Sequence, residues 1–384
     1  MAGDDIAFDI PEECWAGVVK NEGPNFYIEV EKVPVPEIGP QDVLIKLHVT
    51  GLCLTDVHFM ANDWKFPKMR DLGVKCAGHE GAGVIVKTGK DVKNYQVGQR
   101  AAYGPTHSSC GICDHCRSGR VQYCFKTVFT GGLRDGSYQQ YCSMPENYVI
   151  LIPDGVPDHV AGPAMCSAAT SYSSIKASGL KPGQWAVFPG GGGGVGIQGV
   201  QLASAMGLRP IVVDTGRDRR ELAMSLGAEH FIDFRETDPV KSVIDLTAGG
   251  AHGVFVTGKS WKSRNEGKAD KISQLYNHIP FAWNTSESAL EGKSCVIHHD
   301  SIGLPPQGRY HIDVDPTELC LKNHSIKGTL SGTLDDITET LDFAQRGKLR
   351  LEPTVVGLSG WNEAVQRLKN GEVAGRIVVD FTKP

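Results

Sequence analysis

The sequence predicts an α/β protein of two domains, an irregular β domain joined to a doubly wound parallel sheet. Three observations carry this prediction. The 384 residues suffice for two domains of ordinary size, each with its own core. From about residue 15 to 150 the chain reads as short strands, such as Val43–Val49 (VLIKLHV) and Gly83–Val86 (GVIV), broken by punctuation like PVPEIGP. After about residue 165 strands and helices alternate, the pattern of a parallel sheet built from βαβ units.

In order, Trp185–Phe188 is a short apolar strand, and a run of five glycines, Gly190–Gly194, then opens a helix through Met206. Ile211–Val213, His230–Phe234 and Gly253–Thr257 read as the following strands, with helices Arg219–Leu226 and Val240–Thr247 between them. Near the C-terminus Leu334, Ile337, Leu341 and Ala344 fall at helical spacing, with Thr333 as N-cap and Gly347 as stop. Trp361, Ala364, Val365 and Leu368 repeat the pattern up to Gly371. Both apolar stripes read as packed core.

Composition narrows the class. Hydrophobic residues make up 40% and charged residues 22%, so the chain folds as a globular protein. A net charge of −5 gives no basic field to hold nucleic acid or an anionic membrane. The start MAGDDIAFDI lacks the basic and apolar regions of a signal peptide, and no run of about 18 apolar residues occurs to span a bilayer. The expected compartment is the cytoplasm, where thiols stay reduced. There, eleven cysteines point to metal ligation or catalysis instead of disulfides.

Cys110, Cys113, Cys116 and Cys124 form C-x2-C-x2-C-x7-C within a Gly-containing loop. Each two-residue gap lets neighbouring thiolates turn to one centre, and four sulfurs complete a tetrahedron around Zn²⁺ with no open position. An iron–sulfur cluster and unmetallated thiols are the competing readings, since spacing alone does not exclude iron. A second set is dispersed: Cys53, His79 and Cys166. Singly each is weak, because a lone cysteine is usually a small buried hydrophobe. Together they offer two thiolates and one imidazole, with a fourth place open for water or substrate.

GLCLTDVH (51–58), CAGHEGAGV (76–84) and AMCSAAT (164–170), with the four-cysteine loop, resemble the zinc-dependent medium-chain alcohol dehydrogenases, particularly the yeast and fungal type. The similarity runs from about residue 15 to 257 and again from about 302 to 384. It implies a GroES-like, irregular β-barrel catalytic domain over residues 1–166, with 331–384 returning to it, and a Rossmann domain over 167–330. It also implies two zinc ions per chain, NAD as cofactor, a small alcohol or aldehyde as substrate, and a homodimer or homotetramer. Carried over by position, Cys53, His79 and Cys166 ligate the catalytic zinc, and Glu80 ligates it transiently. Asp56 orients the His79 ring and raises its basicity. Thr55 hydrogen-bonds the alcohol oxygen, His58 passes its proton to solvent, and Trp64 lines the substrate pocket.

Gly191, Gly193 and Gly196 fit G-x-G-x-x-G between a strand and a helix. There the turn, with Gly194 and Val195, brings backbone against a pyrophosphate at the helix N-terminus; outside that context the run would read equally as a flexible loop. Asp214 follows Gly196 by 18 residues, where a carboxylate accepts from ribose hydroxyls and repels a 2′-phosphate. Arg217, Arg219 and Arg220 complicate that preference, although in the family a basic residue at Arg219 accompanies the Asp. The resemblance adds Thr170 to the cofactor contacts and places Arg376 against the pyrophosphate.

Four features depart from the family. Leu54 replaces a common basic residue, which weakens cofactor binding or speeds its release. Pro105 stands where the yeast type carries a second tryptophan, which widens the pocket for larger alcohols. Residues 258–301 are longer than the family connection and lack a sustained helical period. Finally, Cys295–Ser301 (CVIHHDS) places His298, His299 and Asp300 where a buried strand should be apolar. The whole segment 258–301 is either a lineage-specific insertion or sequence from outside the true reading frame. Two alternatives therefore stand beside an NAD-dependent alcohol dehydrogenase: a zinc-stabilised NAD-binding protein without turnover, and an NADPH-dependent carbonyl reductase of the same fold.

Overall fold

In the computed structural model, residues 8–258, 300–301, 316–321 and 323–384 are described. They fall into two compact units: Met1–Ala169 with Gly332–Gly347 and Leu351–Pro384, and Thr170–Ser331 with Lys348–Arg350.

Nine strands precede residue 152 in the first unit. They are β1 (Glu13–Lys20), β2 (Tyr27–Pro34), β3 (Asp42–Gly51), β4 (Gly81–Thr88), β5 (Arg100–Tyr103), β6 (Thr106–Ser108), β7 (Val128–Phe129), β8 (Tyr141–Pro145) and β9 (Val149–Leu151). In β3 Val43, Leu44, Ile45 and Leu47 are all buried. Such a run, apolar on both faces, belongs at the centre of a folded sheet rather than on its edge. Accordingly β3 pairs antiparallel with β4 and with β8, and the β3–β4 register shifts twice. Bulges of this kind sharpen twist and bend the sheet round its own core. β1–β2 and β6–β7 form two-stranded antiparallel ribbons.

The second unit holds β10 (Trp185–Pro189), β11 (Arg209–Asp214), β12 (His230–Asp233), β13 (Gly253–Val256) and β14 (Asp300–Ser301). All pairs are parallel, in the order β12-β11-β10-β13-β14. Ile211, Val212 and Val213 are fully buried, as a strand covered on both faces requires. Helices Gly196–Ala205, Arg217–Ser225 and Pro239–Thr247 connect successive strands. The order reverses direction beside β10, and open parallel sheets bind ligands at the strand carboxyl ends beside such a switch point. Of residues 258–301, only Gly258, Asp300 and Ser301 are described; Asp300 and Ser301 run parallel to β13. His298 and His299 lie outside the described residues.

The chain returns to the first unit through helix Leu334–Gln345. Thr333 caps it: its hydroxyl accepts from Asp336 N at 3.0 Å, and Asp336 Oδ2 accepts from Thr333 N at 2.9 Å. The pair satisfies two orphan donors of the first turn. β15 (Thr354–Val356) follows, then helix Trp361–Asn370, which buries Trp361, Ala364 and Val365. β16 (Ile377–Asp380) inserts between β15 and β3 and completes a seven-stranded sheet.

Candidate metal centres and nucleotide site

Two groups of metal-ligating side chains converge in the first unit, and they are the only such groups among the described residues. One atom from each of Cys110, Cys113, Cys116 and Cys124 lies within 4.8 Å of the others; Cys53, His79, Glu80 and Cys166 form the second group on the same measure.

In the four-cysteine loop, Cys113 Sγ is 3.5 Å and Cys110 Sγ 3.8 Å from Cys116 Sγ. A tetrahedron with zinc–sulfur bonds of about 2.3 Å has edges of about 3.8 Å, so the spacing fits a tetrathiolate ion. Backbone N–H groups of Cys110 and Lys126 point at Cys124 Sγ, and Ser109 Oγ lies 3.2 Å from Cys116 Sγ. Such donors stabilise thiolate charge. Ile112 and Phe125, which flank the ligands in sequence, are 70% and 96% exposed.

The second group is built by one carboxylate. Asp56 lies in the first turn of helix Leu54–Ala61, whose N-cap is Cys53, and its Oδ2 accepts from Cys53 N at 3.1 Å. Its Oδ1 takes His79 Nδ1 at 2.6 Å. The same fully buried carboxylate thus ties Cys53 to His79 and leaves Nε2 as the ring's ligand atom. That Nε2 is 3.2 Å from Cys166 Sγ, near the edge of about 3.5 Å that a shared zinc would set. Tyr138 Oη also reaches Asp56 Oδ2, at 3.4 Å.

The turn before His79 has room only for glycine. Gly78 sits at φ +88°, and a Cβ there would come 2.3 Å from the Tyr138 ring. Cys166 lies on a single π-helical turn, Ala164–Ala168. Such turns occur mostly as local distortions at functional sites.

Electrostatics at this group follow from burial. Glu80 is fully buried, and burial outweighs the Arg376 charge beside it, pushing its carboxyl up to about 7. Arg376 Nη2 donates to Glu80 Oε2, while Glu80 Oε1 has no hydrogen-bond partner among the described residues. Cys53 is held well below the usual thiol range, chiefly because its sulfur accepts from Cys166. Burial works to lower His79, but the Asp56 carboxylate prevails and holds it well above the ordinary imidazole value. One anionic sulfur, one imidazole and an unsatisfied carboxylate oxygen, all buried, make a donor set suited to a borderline-soft cation.

The remaining expected residues fall around this cluster. Thr55 and Leu54 are half-buried in the first turn of helix Leu54–Ala61. His58, one turn on from Thr55, is 1% exposed and its Nδ1 meets Asp63 Oδ2 at 2.6 Å. The Trp64 ring lies 5.1 Å from both neighbours, tilted against His58 and edge-to-face with Phe59. Arg376, expected against a pyrophosphate, has its guanidinium on Glu80. Tyr138 and Asp63 carry no motif; as an aromatic after Gly-Ser and an acid in a turn they give no signal in the sequence.

In the second unit the glycine turn runs from the end of β10 into helix Gly196–Ala205. A Cβ on Gly196 would lie 2.4 Å from Gly191 Cα, so helix and strand approach closely only because both are glycine. Gly193 O accepts from Ile197 N and Val195 O from Gly199 N, while Gly194 O accepts from the Gln198 side chain. Asp214 ends β11. Its Oδ2 accepts from Gly192 N at 3.0 Å, and its Oδ1 from Thr215 N and Arg219 Nη1 at 2.8 Å each. Thr170, the first residue of this unit, is buried.

Comparison with known proteins agrees with this class of architecture, a β unit that carries two groups of metal-ligating side chains joined to a parallel sheet with a glycine turn. Residues 39–154 match the family described as the alcohol dehydrogenase GroES-like domain, and residues 194–262 match the zinc-binding dehydrogenase family. An alcohol dehydrogenase of Schizosaccharomyces pombe is 34% identical over 97% of this chain and 99% of its own length. Among solved structures, the alcohol dehydrogenase of the archaeon Aeropyrum pernix superposes with a TM-score of 0.79 at 25% identity, covering 96% of this chain and all of that one. A zinc-binding dehydrogenase of Sinorhizobium meliloti bound to NADP gives 0.77 at 25% identity, over 97% and 100% of the two chains. The chain belongs to the zinc-binding, medium-chain alcohol dehydrogenases, and the fungal resemblance of its motifs extends over nearly its whole length.

Proposed function

We propose that this enzyme reversibly oxidises a small primary or secondary alcohol to an aldehyde or ketone, with NAD as hydride acceptor and two zinc ions per chain. The observation that carries the reading is the Asp56 carboxylate, which holds Cys53 and His79 together and points His79 Nε2 at Cys166. Cys53, His79 and Cys166 hold the catalytic ion, Glu80 supplies an exchangeable oxygen, and Cys110, Cys113, Cys116 and Cys124 hold the structural one. Bound zinc supplies Lewis acidity toward an alcohol oxygen, and bound NAD the acceptor.

The chain's own residues orient the substrate and carry its proton. Thr55 Oγ1 accepts the hydrogen bond of the alcohol hydroxyl. Thr55 and His58 share a helix face at i, i+3, so the proton passes to His58. His58 is buried, whereas the Asp63 side chain it touches is 24% exposed; Asp63 is the exit to water. Trp64 forms one pocket wall, and Pro105 leaves the opposite wall open to larger alcohols. Asp214 accepts from the adenosine ribose, and backbone at Gly191–Gly196 cradles the pyrophosphate.

A second reading, an NADPH-dependent carbonyl reductase, rests on Arg219: its guanidinium lies on Asp214 and offers charge to a 2′-phosphate. The catalytic unit comprises residues 1–166 with 331–384, working in the cytoplasm as a homodimer or homotetramer, which the exposed Ile112 and Phe125 support. No helix among the described residues is long and apolar enough to cross a membrane.

The test combines zinc analysis with NAD- and NADP-dependent oxidation of a primary alcohol series. Two zinc ions per chain and NAD-dependent turnover lost in Cys53→Ala are expected. Full activity in Cys53→Ala would falsify the assignment of the catalytic centre.

A further inference from the structure

Apart from both metal clusters, a cavity of about 330 Å³ opens in the first unit beside β6 and β7. Its lining includes the polar side chains of His107, Arg134 and Asp135 and the apolar ones of Leu72, Val128 and Leu133. Nothing in the proposed reaction uses these residues.

His107 is only 7% exposed, yet its Nε2 has no hydrogen-bond partner among the described residues. A buried polar nitrogen left unsatisfied is costly, and native interiors rarely tolerate one without a partner. Burial, and then the like charge of Arg134, holds this imidazole down to about 4 against the opposing pull of Asp42. It is therefore neutral near pH 7 and offers one donor and one acceptor nitrogen, depending on tautomer. Arg134 is exposed, and no carboxylate pairs with it among the described residues. Its neighbour Asp135 is engaged elsewhere: Oδ1 accepts from Lys75 N at 2.7 Å and Cys76 N at 2.8 Å.

From this arrangement we infer that the cavity is a binding site for a small organic monocarboxylate. The carboxylate is received by the Arg134 guanidinium and by His107 Nε2–H, and the hydrocarbon body lies on Leu72, Val128 and Leu133. The choice of ligand follows from the lining. A cation is repelled by Arg134, and a neutral molecule gains no charge-assisted hydrogen bond from it. Phosphate has no use for three apolar side chains. The volume lies at the small end for ligand pockets, which suits a ring-sized acid.

The test uses benzoate titrated calorimetrically into the zinc-loaded protein, with benzamide as neutral isostere and inorganic phosphate as mineral anion. A crystal soaked with 4-bromobenzoate locates the ring by bromine anomalous scattering. Saturable benzoate binding is expected, with benzamide at least tenfold weaker and the bromine between Leu72 and Arg134. Arg134→Gln should weaken benzoate at least tenfold and leave alcohol oxidation unchanged. His107→Leu should weaken it too without lowering the melting temperature, because an apolar side chain removes the unsatisfied nitrogen. Equal binding of benzamide, phosphate binding with the same dependence on Arg134, or bromine found only beside Cys53 and Cys166 would each overturn the proposal.

Discussion

Asp56→Asn is the sharpest perturbation of the proposed catalytic centre, because it changes one charge and almost no volume. In the native protein Asp56 receives three donors: Cys53 N, His79 Nδ1 and Tyr138 Oη. An amide has one oxygen, so its NH2 group must face either Cys53 N–H or His79 Nδ1. If it faces the ring, His79 moves its proton to Nε2, the atom 3.2 Å from Cys166 Sγ, and zinc has to displace it. If it faces Cys53, the helix N-terminus loses its acceptor. Losing one hydrogen bond to a buried charge costs about 1.5–3 kcal/mol. Disturbing the group behind a metal-bound histidine costs about 10–100-fold in affinity, or about 1.4–2.7 kcal/mol. The two routes agree. Zinc retained under graded chelator competition is the direct assay, with the Cys110 loop as internal standard, so content should fall from two ions toward one. Turnover should fall in proportion to the zinc lost. Zinc affinity and turnover both within twofold of wild type would refute the reasoning.

Further expectations follow from other parts of the structure. Cys110→Ser opens the tetrathiolate site; about one zinc should remain per chain, and thermal inactivation should accelerate sharply while initial activity at low temperature persists. Asp214→Ser removes the acceptor shared by Gly192, Thr215 and Arg219, and kcat/KM for NADP relative to NAD should rise at least tenfold, or about 1.4 kcal/mol. His107 titrates near 4 in the folded chain against about 6.5 unfolded, so the unfolded state takes the proton first. Its contribution is complete above about pH 6.5 and declines as pH falls toward 4. From pH 7.5 to 5.5 the native chain should lose about 1.3 kcal/mol more than His107→Asn in urea unfolding, and equal slopes would refute the burial argument. Phe125→Ser, at a 96% exposed position, should shift the chain toward monomer in light scattering if that loop is the subunit contact.

Features written locally are legible in the sequence. The C-x2-C-x2-C spacing brings its sulfurs together because each short gap is a tight turn, whatever surrounds it. The strand and helix alternation after residue 165 reads correctly, with bounds moved by one or two residues, because each burial pattern is set within its own window. The Thr333 cap and the Gly371 stop are equally local. Pairings over long sequence distance are not legible. Nothing in HEGAG or AGRIV says that Glu80 and Arg376 share a buried ion pair. Tyr138 reaches Asp56 across 82 positions and looks like any strand aromatic. Nor does the sequence show that His58 is buried with its Nδ1 on the partly exposed Asp63 carboxylate.

The insertion of β16 between β15 and β3 has a consequence for synthesis. Glu80 and Arg376 are 296 positions apart, and the strand that closes the β3 edge follows Arg376 directly. At about 5–20 residues per second, the ribosome takes about 15–60 s to deliver the second after the first. Through that interval the nascent chain carries a lone buried carboxylate without its arginine and an open, apolar strand edge, the kind that invites pairing with other chains. The parallel sheet of the second unit is complete in sequence earlier and can fold while the first unit waits. A premature stop after that sheet therefore yields a chain that has its parallel strands but lacks the strand that closes the β3 edge, an aggregation-prone product for quality control to clear.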